Sequence, residues 1–110
     1  MSISNKANLV GVKDVFRALA DRTRLAMLRL LIDKKELCVC EVMDALSISQ
    51  TRTSRNLALL CGAGLLKGER RGKWMFYSVD RTQALASLFA FIRERMPPIA
   101  IRAGAKRRKC

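Results

Sequence analysis

A mainly α fold carrying one β-hairpin, in the order α-α-α-α-β-β-α, is what the periodicity of the chain predicts. Three observations carry that expectation. Apolar residues recur at helical spacing in successive segments as far as Leu60. The period then changes to short extended runs in "LLKGERRGKWMFYSVD", with "ERRGK" as a hairpin tip and Gly72 at its turn. Helical spacing returns from about Thr82 to Met96, and the prolines at 97 and 98 end it. A helix, a short turn, a second helix and a two-stranded wing make a winged helix-turn-helix arrangement.

The elements follow in order. Leu9, Val12, Phe16 and Leu19, with Val15 beside them, describe a first helix. Asp21 suits the N-cap of a second, which runs through Leu25, Leu28, Leu31 and Ile32. That helix is apolar on nearly every side and should form the buried centre. "DKKE" closes it, and a cysteine-bearing helix follows to about Leu46. After the polar turn "SIS", Ser49 is placed to cap "QTRTSRNLALLCGAG", whose Gly-Ala-Gly end tolerates the left-handed backbone that stops a helix. The helix-turn-helix pair is therefore expected at residues 38–46 and 50–63. The last helix should bury Leu85, Leu88, Phe89 and Ile92. Residues 1–98 read as one winged helix-turn-helix domain, and residues 99–110 as a basic, flexible C-terminal tail.

Charge narrows the class of partner. The 110 residues hold 22 basic and 9 acidic side chains, a formal charge of +13. Residues 1–48 are nearly balanced at +2, residues 49–81 carry +5, and residues 99–110 carry +5 with no acid. Basic charge is thus concentrated on the second half of the helix pair, the wing and the tail. A polyanion, nucleic acid before membrane, is the expected partner. No apolar run approaches membrane-spanning length and no secretory signal precedes the domain, so a reducing cytoplasmic setting is expected. The chain contains no histidine. That removes Ser/His and Cys/His nucleophile pairs and every His-containing zinc site, and no catalytic constellation is visible, so an enzyme is not expected.

The predicted reading helix divides as DNA recognition requires. Its front is polar and basic: Gln50 can read an adenine edge, Arg52 or Arg55 a guanine edge, and Thr51, Thr53, Ser54 and Asn56 can reach bases or phosphates. Leu57, Leu60 and Cys61 fall at core-facing spacing behind it. Arg70, Arg71 and Lys73 at the hairpin tip suit backbone or minor-groove contact. The four cysteines read as ligands, sensors or core residues rather than a disulfide framework. Cys38 and Cys40 sit one residue apart in "ELCVCEVMDAL", and in a regular helix their side chains would diverge by about 200°. One guest held by both would then require the start of that helix to unwind or bend.

These segments together resemble the ArsR/SmtB family of metal- and metalloid-responsive repressors, in its arsenic-responsive branch. "FRALADRTRLAMLRLL" resembles the family's opening helices, "ELCVCEV" its thiol box, "SQTRTSRNLALLCGAGLL" its recognition helix and "RRGKWMFYSV" its wing, over roughly residues 14 to 80. The resemblance implies a homodimer joined through the first and last helices. It implies double-stranded operator DNA bound by the ligand-free protein and released when As(III) or Sb(III) bonds to Cys38 and Cys40. No other cofactor is required, and Cd(II) or Pb(II) are alternative soft guests.

Three departures from the family pattern stand out. Met43 replaces the third box cysteine and should serve the core instead. Asn56 replaces the usual recognition-helix histidine. The last helix lacks the ligands of the zinc- and cobalt-sensing members. A third thiolate can come from Cys110 at the chain end, or from Cys61, which is expected first as a buried structural residue. Two other readings stay open: a thiol redox switch on the same fold, and a non-regulatory DNA-binding protein with incidental cysteines.

Overall fold

The computed structural model describes residues 6–100, with side chains from residue 11 onward except at Gln83. Five helices and a small antiparallel sheet follow in the order α1 (Lys6–Leu19), α2 (Arg22–Asp33), β1 (Leu37–Cys38), α3 (Val39–Leu46), α4 (Gln50–Gly62), β2 (Leu66–Arg71), β3 (Trp74–Val79) and α5 (Gln83–Arg95). The expected winged helix-turn-helix is present, with one added element. The wing is not a lone hairpin, because the short strand β1 joins it to give the sheet order β1-β3-β2. Residues 99 and 100 are coil, and the rest of the expected tail, Cys110 included, lies outside the described residues.

Helix α2 is the buried centre that its composition predicts. Asp21 caps it, its carboxylate accepting the Arg24 N–H at 3.0 Å. Met27, Leu28, Leu30, Leu31 and Ile32 are all buried and share one core with Leu57, Leu60, Leu65, Leu66, Val79, Phe89 and Ile92. Even Arg29 is buried, and its charge is satisfied twice. One guanidinium N–H donates to Asp33 Oδ2 at 2.6 Å, and Nε donates to the Met96 carbonyl at 2.9 Å. That second bond fastens the end of α5 to α2, since Met96 is the C-cap of α5.

Local signals fix the junctions. Ser47 takes the left-handed backbone (φ 55°) after α3, and Ser49 caps α4 by accepting the Arg52 N–H at 3.1 Å. Gly64 (φ 82°) turns the chain out of α4, and Gly72 (φ 64°) makes the two-residue hairpin turn that sets Arg71 opposite Trp74. Such backbone is the reason glycine stands at both places.

The thiol segment differs from expectation. Helix α3 starts at Val39, with Cys38 outside it as an extended N-cap (φ −89°, ψ 168°). Two interactions hold it there. Leu37 and Cys38 pair with Tyr77 and Phe76 of β3, and the Cys38 N–H donates to Glu41 Oε1 at 2.9 Å. A strand partner some 38 positions downstream overrides the local helical pattern.

Leu31 is fully buried at the centre of this arrangement. Leu31→Ala should lower unfolding stability by about 2–5 kcal/mol, read from the urea midpoint at constant slope.

Candidate DNA-reading surface and thiol site

The front of α4 presents Gln50, Thr51, Arg52, Ser54 and Arg55 to solvent. Two expected DNA contacts are corrected by burial. Thr53 is fully buried, its hydroxyl donating to the Ser49 carbonyl at 2.8 Å. Asn56 is 9% exposed, its amide donating to the Arg52 carbonyl at 3.0 Å and its Oδ1 accepting from Arg24 Nη1 at 3.0 Å. Both positions fall on the side of α4 that also carries Leu57 and Leu60, so they support the helix from behind.

Arg24 gives that support its reach, and the sequence reading missed it. Its Nε donates to the Ala18 carbonyl at 2.8 Å and Nη2 to the Arg17 carbonyl at 3.3 Å, satisfying acceptors at the end of α1. With the third bond to Asn56, one guanidinium ties the end of α1 to the middle of α4. Arg52 leans the same way, donating to Thr23 Oγ1 at 3.1 Å.

On the wing, Arg70 and Lys73 are exposed on either side of the turn. Arg71 is committed elsewhere. Its guanidinium donates in a fork to both Glu36 oxygens (2.7 and 2.8 Å), bonds Glu69, and lies 4.7 Å from the Phe76 ring centre. The two carboxylates hold its pKa above the usual arginine range. With its charge offset by two acids, Arg71 fits a phosphate contact less well than its place in the sequence suggests.

The two box cysteines come together rather than apart. Cys38 and Cys40 are both buried and form one small cluster with Phe76, against which Trp74 packs. The strand register explains it, because Cys38 stands directly opposite Phe76 and Trp74 is two residues along the same face. A guest held by both sulfurs requires both cysteines in the reduced state. Burial raises the Cys38 pKa, partly offset by the backbone N–H of Glu41. Cys61 is half-buried against the main core instead, and burial raises its pKa too. Met43 is half-buried and belongs to neither cluster. Among the described residues, no group of three or more Cys, Asp or Glu side chains is placed to hold a metal ion. No described helix is long and apolar enough to cross a membrane.

Helix pair, wing and exposed basic helix front define a winged helix-turn-helix protein of the regulatory class. The family described as "Bacterial regulatory protein, arsR family" matches residues 21–67. The chain is 49% identical over 66 residues to the arsenical resistance operon repressor of Escherichia coli K12, covering 60% of this chain and 56% of that one. It is 36% identical over 77 residues to the HTH-type transcriptional regulator MJ1325 of Methanocaldococcus jannaschii, covering 68% of this chain and 86% of the relative. The homodimeric winged helix-turn-helix DNA-binding domain Mb0332 of Mycobacterium bovis superposes with a TM-score of 0.74 at 32% identity, covering 86% of both chains. The chain belongs to the ArsR family. It spans about half the length of two arsenic-resistance regulators that it matches.

A raised thiol pKa means that Cys38 keeps its proton above the ordinary range. Stability tied to that proton is present at neutral pH and lost as pH rises through the folded-state value. In the reduced protein, iodoacetamide labelling followed at the Cys38 peptide by mass should show a pH midpoint above that of free cysteine. A midpoint at or below the free-cysteine value contradicts the burial assignment.

Proposed function

We propose that the protein is a transcriptional repressor that binds double-stranded operator DNA as a homodimer and releases it when As(III) or Sb(III) bonds to Cys38 and Cys40. One observation carries the reading: both sulfurs share a cluster at the start of α3, the first helix of the DNA-reading pair. Arsenic resistance named in similar regulators supports the choice of guest. Trivalent arsenic suits two thiolates because it is soft and has low coordination demands. Each sulfur forms one S–As bond as its proton leaves with an arsenic hydroxyl as water, so the net charge is unchanged.

Gln50, Thr51, Arg52, Ser54 and Arg55 on α4 and Arg70 and Lys73 on the wing supply the DNA surface. Thr53, Asn56 and Arg71 position it. The dimer forms through α1 and α5, where Val12 (55%), Phe16 (65%) and Phe91 (56%) leave large apolar surface exposed on a single chain. Covering them against a second copy removes that apolar surface from water. Two reading helices in fixed relation then address two half-sites one turn of DNA apart.

Guest capture opposes this geometry. Cys38 is an N-cap in a strand while Cys40 lies in the first turn of α3, so drawing both onto one arsenic disturbs the cap, the strand pairing, or both. A conformation with displaced α3 and α4 no longer matches successive grooves. The shared cluster of two cysteines favours a second reading, release on thiol oxidation. Arsenite under a thiol reductant and peroxide without one separate the two.

Anisotropy of a labelled duplex, selected by the reduced protein from a random-sequence pool, should fall on arsenite addition. Cys38→Ser and Cys40→Ser should each raise the arsenite needed by about tenfold or more while still binding the duplex. A Cys38→Ser protein that takes up arsenite and releases DNA as wild type does would sink the proposal. Phe16→Asp should shift sedimentation toward monomer and weaken duplex binding by about tenfold or more, because the two half-sites are then bound independently.

A further inference from the structure

The three-stranded sheet places the thiol site and the wing on one face. Across the strands, Cys38 of β1 stands opposite Phe76 of β3, which stands opposite Glu69 of β2. Two rows along, on the same face, Arg71 stands opposite Trp74. Arg71 does not stay in its own row. Its guanidinium reaches over Phe76, 4.7 Å from the ring centre, to take both oxygens of Glu36, two residues before Cys38. The ring beneath it is the one that Cys38 and Cys40 pack against.

We propose that Glu36 and Arg71 form a latch that makes the wing move with the thiol strand, so that Glu36 is a positioning residue for effector-driven release. This inference rests on the effector reading given above. A guest that draws Cys38 toward Cys40 shifts the strand that directly follows Glu36 and repacks Phe76. A bidentate fork fixes both angle and distance, so Arg71 follows Glu36, and the wing tip with Gly72 and Lys73 follows Arg71. Without the latch, Arg71 keeps its bond to Glu69 within β2, and the wing is indifferent to the shift of β1. Glu36 itself belongs neither to the DNA surface nor to the thiol pair. Its removal should therefore separate guest binding from DNA release.

The test uses the full reduced chain, arsenite and the pool-selected labelled duplex. Trp74 is the only tryptophan and packs on the thiol cluster, so its emission reports arsenite capture. Glu36→Gln should bind arsenite and duplex within about twofold of wild type and keep its thermal midpoint. The ratio of duplex affinities without and with arsenite should fall by about tenfold. Glu36→Asp, which keeps the charge, should retain most of the ratio. A Glu36→Gln protein with the wild-type ratio overturns the latch alone, leaving the effector reading intact. One that loses arsenite capture or its thermal midpoint overturns it too, by showing a merely structural role. A wild-type protein that binds the duplex and ignores arsenite overturns the effector reading, and the latch with it.

Discussion

Leu37 and Cys38 are only two residues of extended chain, but their pairing with Tyr77 and Phe76 decides how the rest of the molecule is connected. It ends the approach from α2, starts α3 one residue later than helical periodicity implies, and brings the wing against the helix-turn-helix pair. A hairpin of two strands is marginal alone, and the third strand pairs with its middle. The same pairing brings Phe76 over the thiols. Thiol cluster, first reading helix and wing are therefore three readouts of one strand position.

Two arginines carry a parallel logic. Arg24 satisfies carbonyls at the end of α1 and the amide oxygen of Asn56, so the relation between the proposed dimer helix and the reading helix is held by one rigid fork. Arg71 binds two carboxylates, Glu69 on its own strand and Glu36 just before β1, and covers an aromatic ring. Neither is a spare positive charge, although both sit in a strongly basic chain. Exposed cations at Arg52, Arg55, Arg70 and Lys73 leave the long-range attraction to a polyanion in place. Fixed arginines set geometry while exposed ones set attraction.

Most of the fold was legible because its signals are local. Asp21 and Ser49 cap the helices that their positions imply, the buried face of α2 follows its composition, and Gly72 turns the hairpin. What was illegible depends on contacts far apart in sequence. Nothing in "ELCVC" announces that Leu37 and Cys38 will find Tyr77 and Phe76, so helical spacing claimed Cys38. The inward turn of Thr53 and Asn56 was partly readable, since both share a side of α4 with Leu57 and Leu60, but their polar side chains read as DNA contacts. Beyond their local bonds, Asn56 meets Arg24 32 positions away and Arg71 meets Glu36 35 positions away, and no local pattern shows those contacts. Trp74 and Phe76 lie two residues apart on one face of β3. What lay across from them required the register.

The energies suit a reversible switch. Each tenfold change in DNA affinity corresponds to about 1.4 kcal/mol. A backbone hydrogen bond contributes about 0.5–1.5 kcal/mol net, so disturbing the short ladder at Cys38 together with its cap to Glu41 reaches the scale of one or two decades. The buried core around α2 is far more costly to disturb, because each large side chain there contributes about 1.5–3 kcal/mol through burial. In the proposed switch, a guest drawing on the thiols meets the weak two-residue strand before it meets the core. The domain can keep its fold while its reading geometry changes, and the thiols stand where that separation of energies is sharpest.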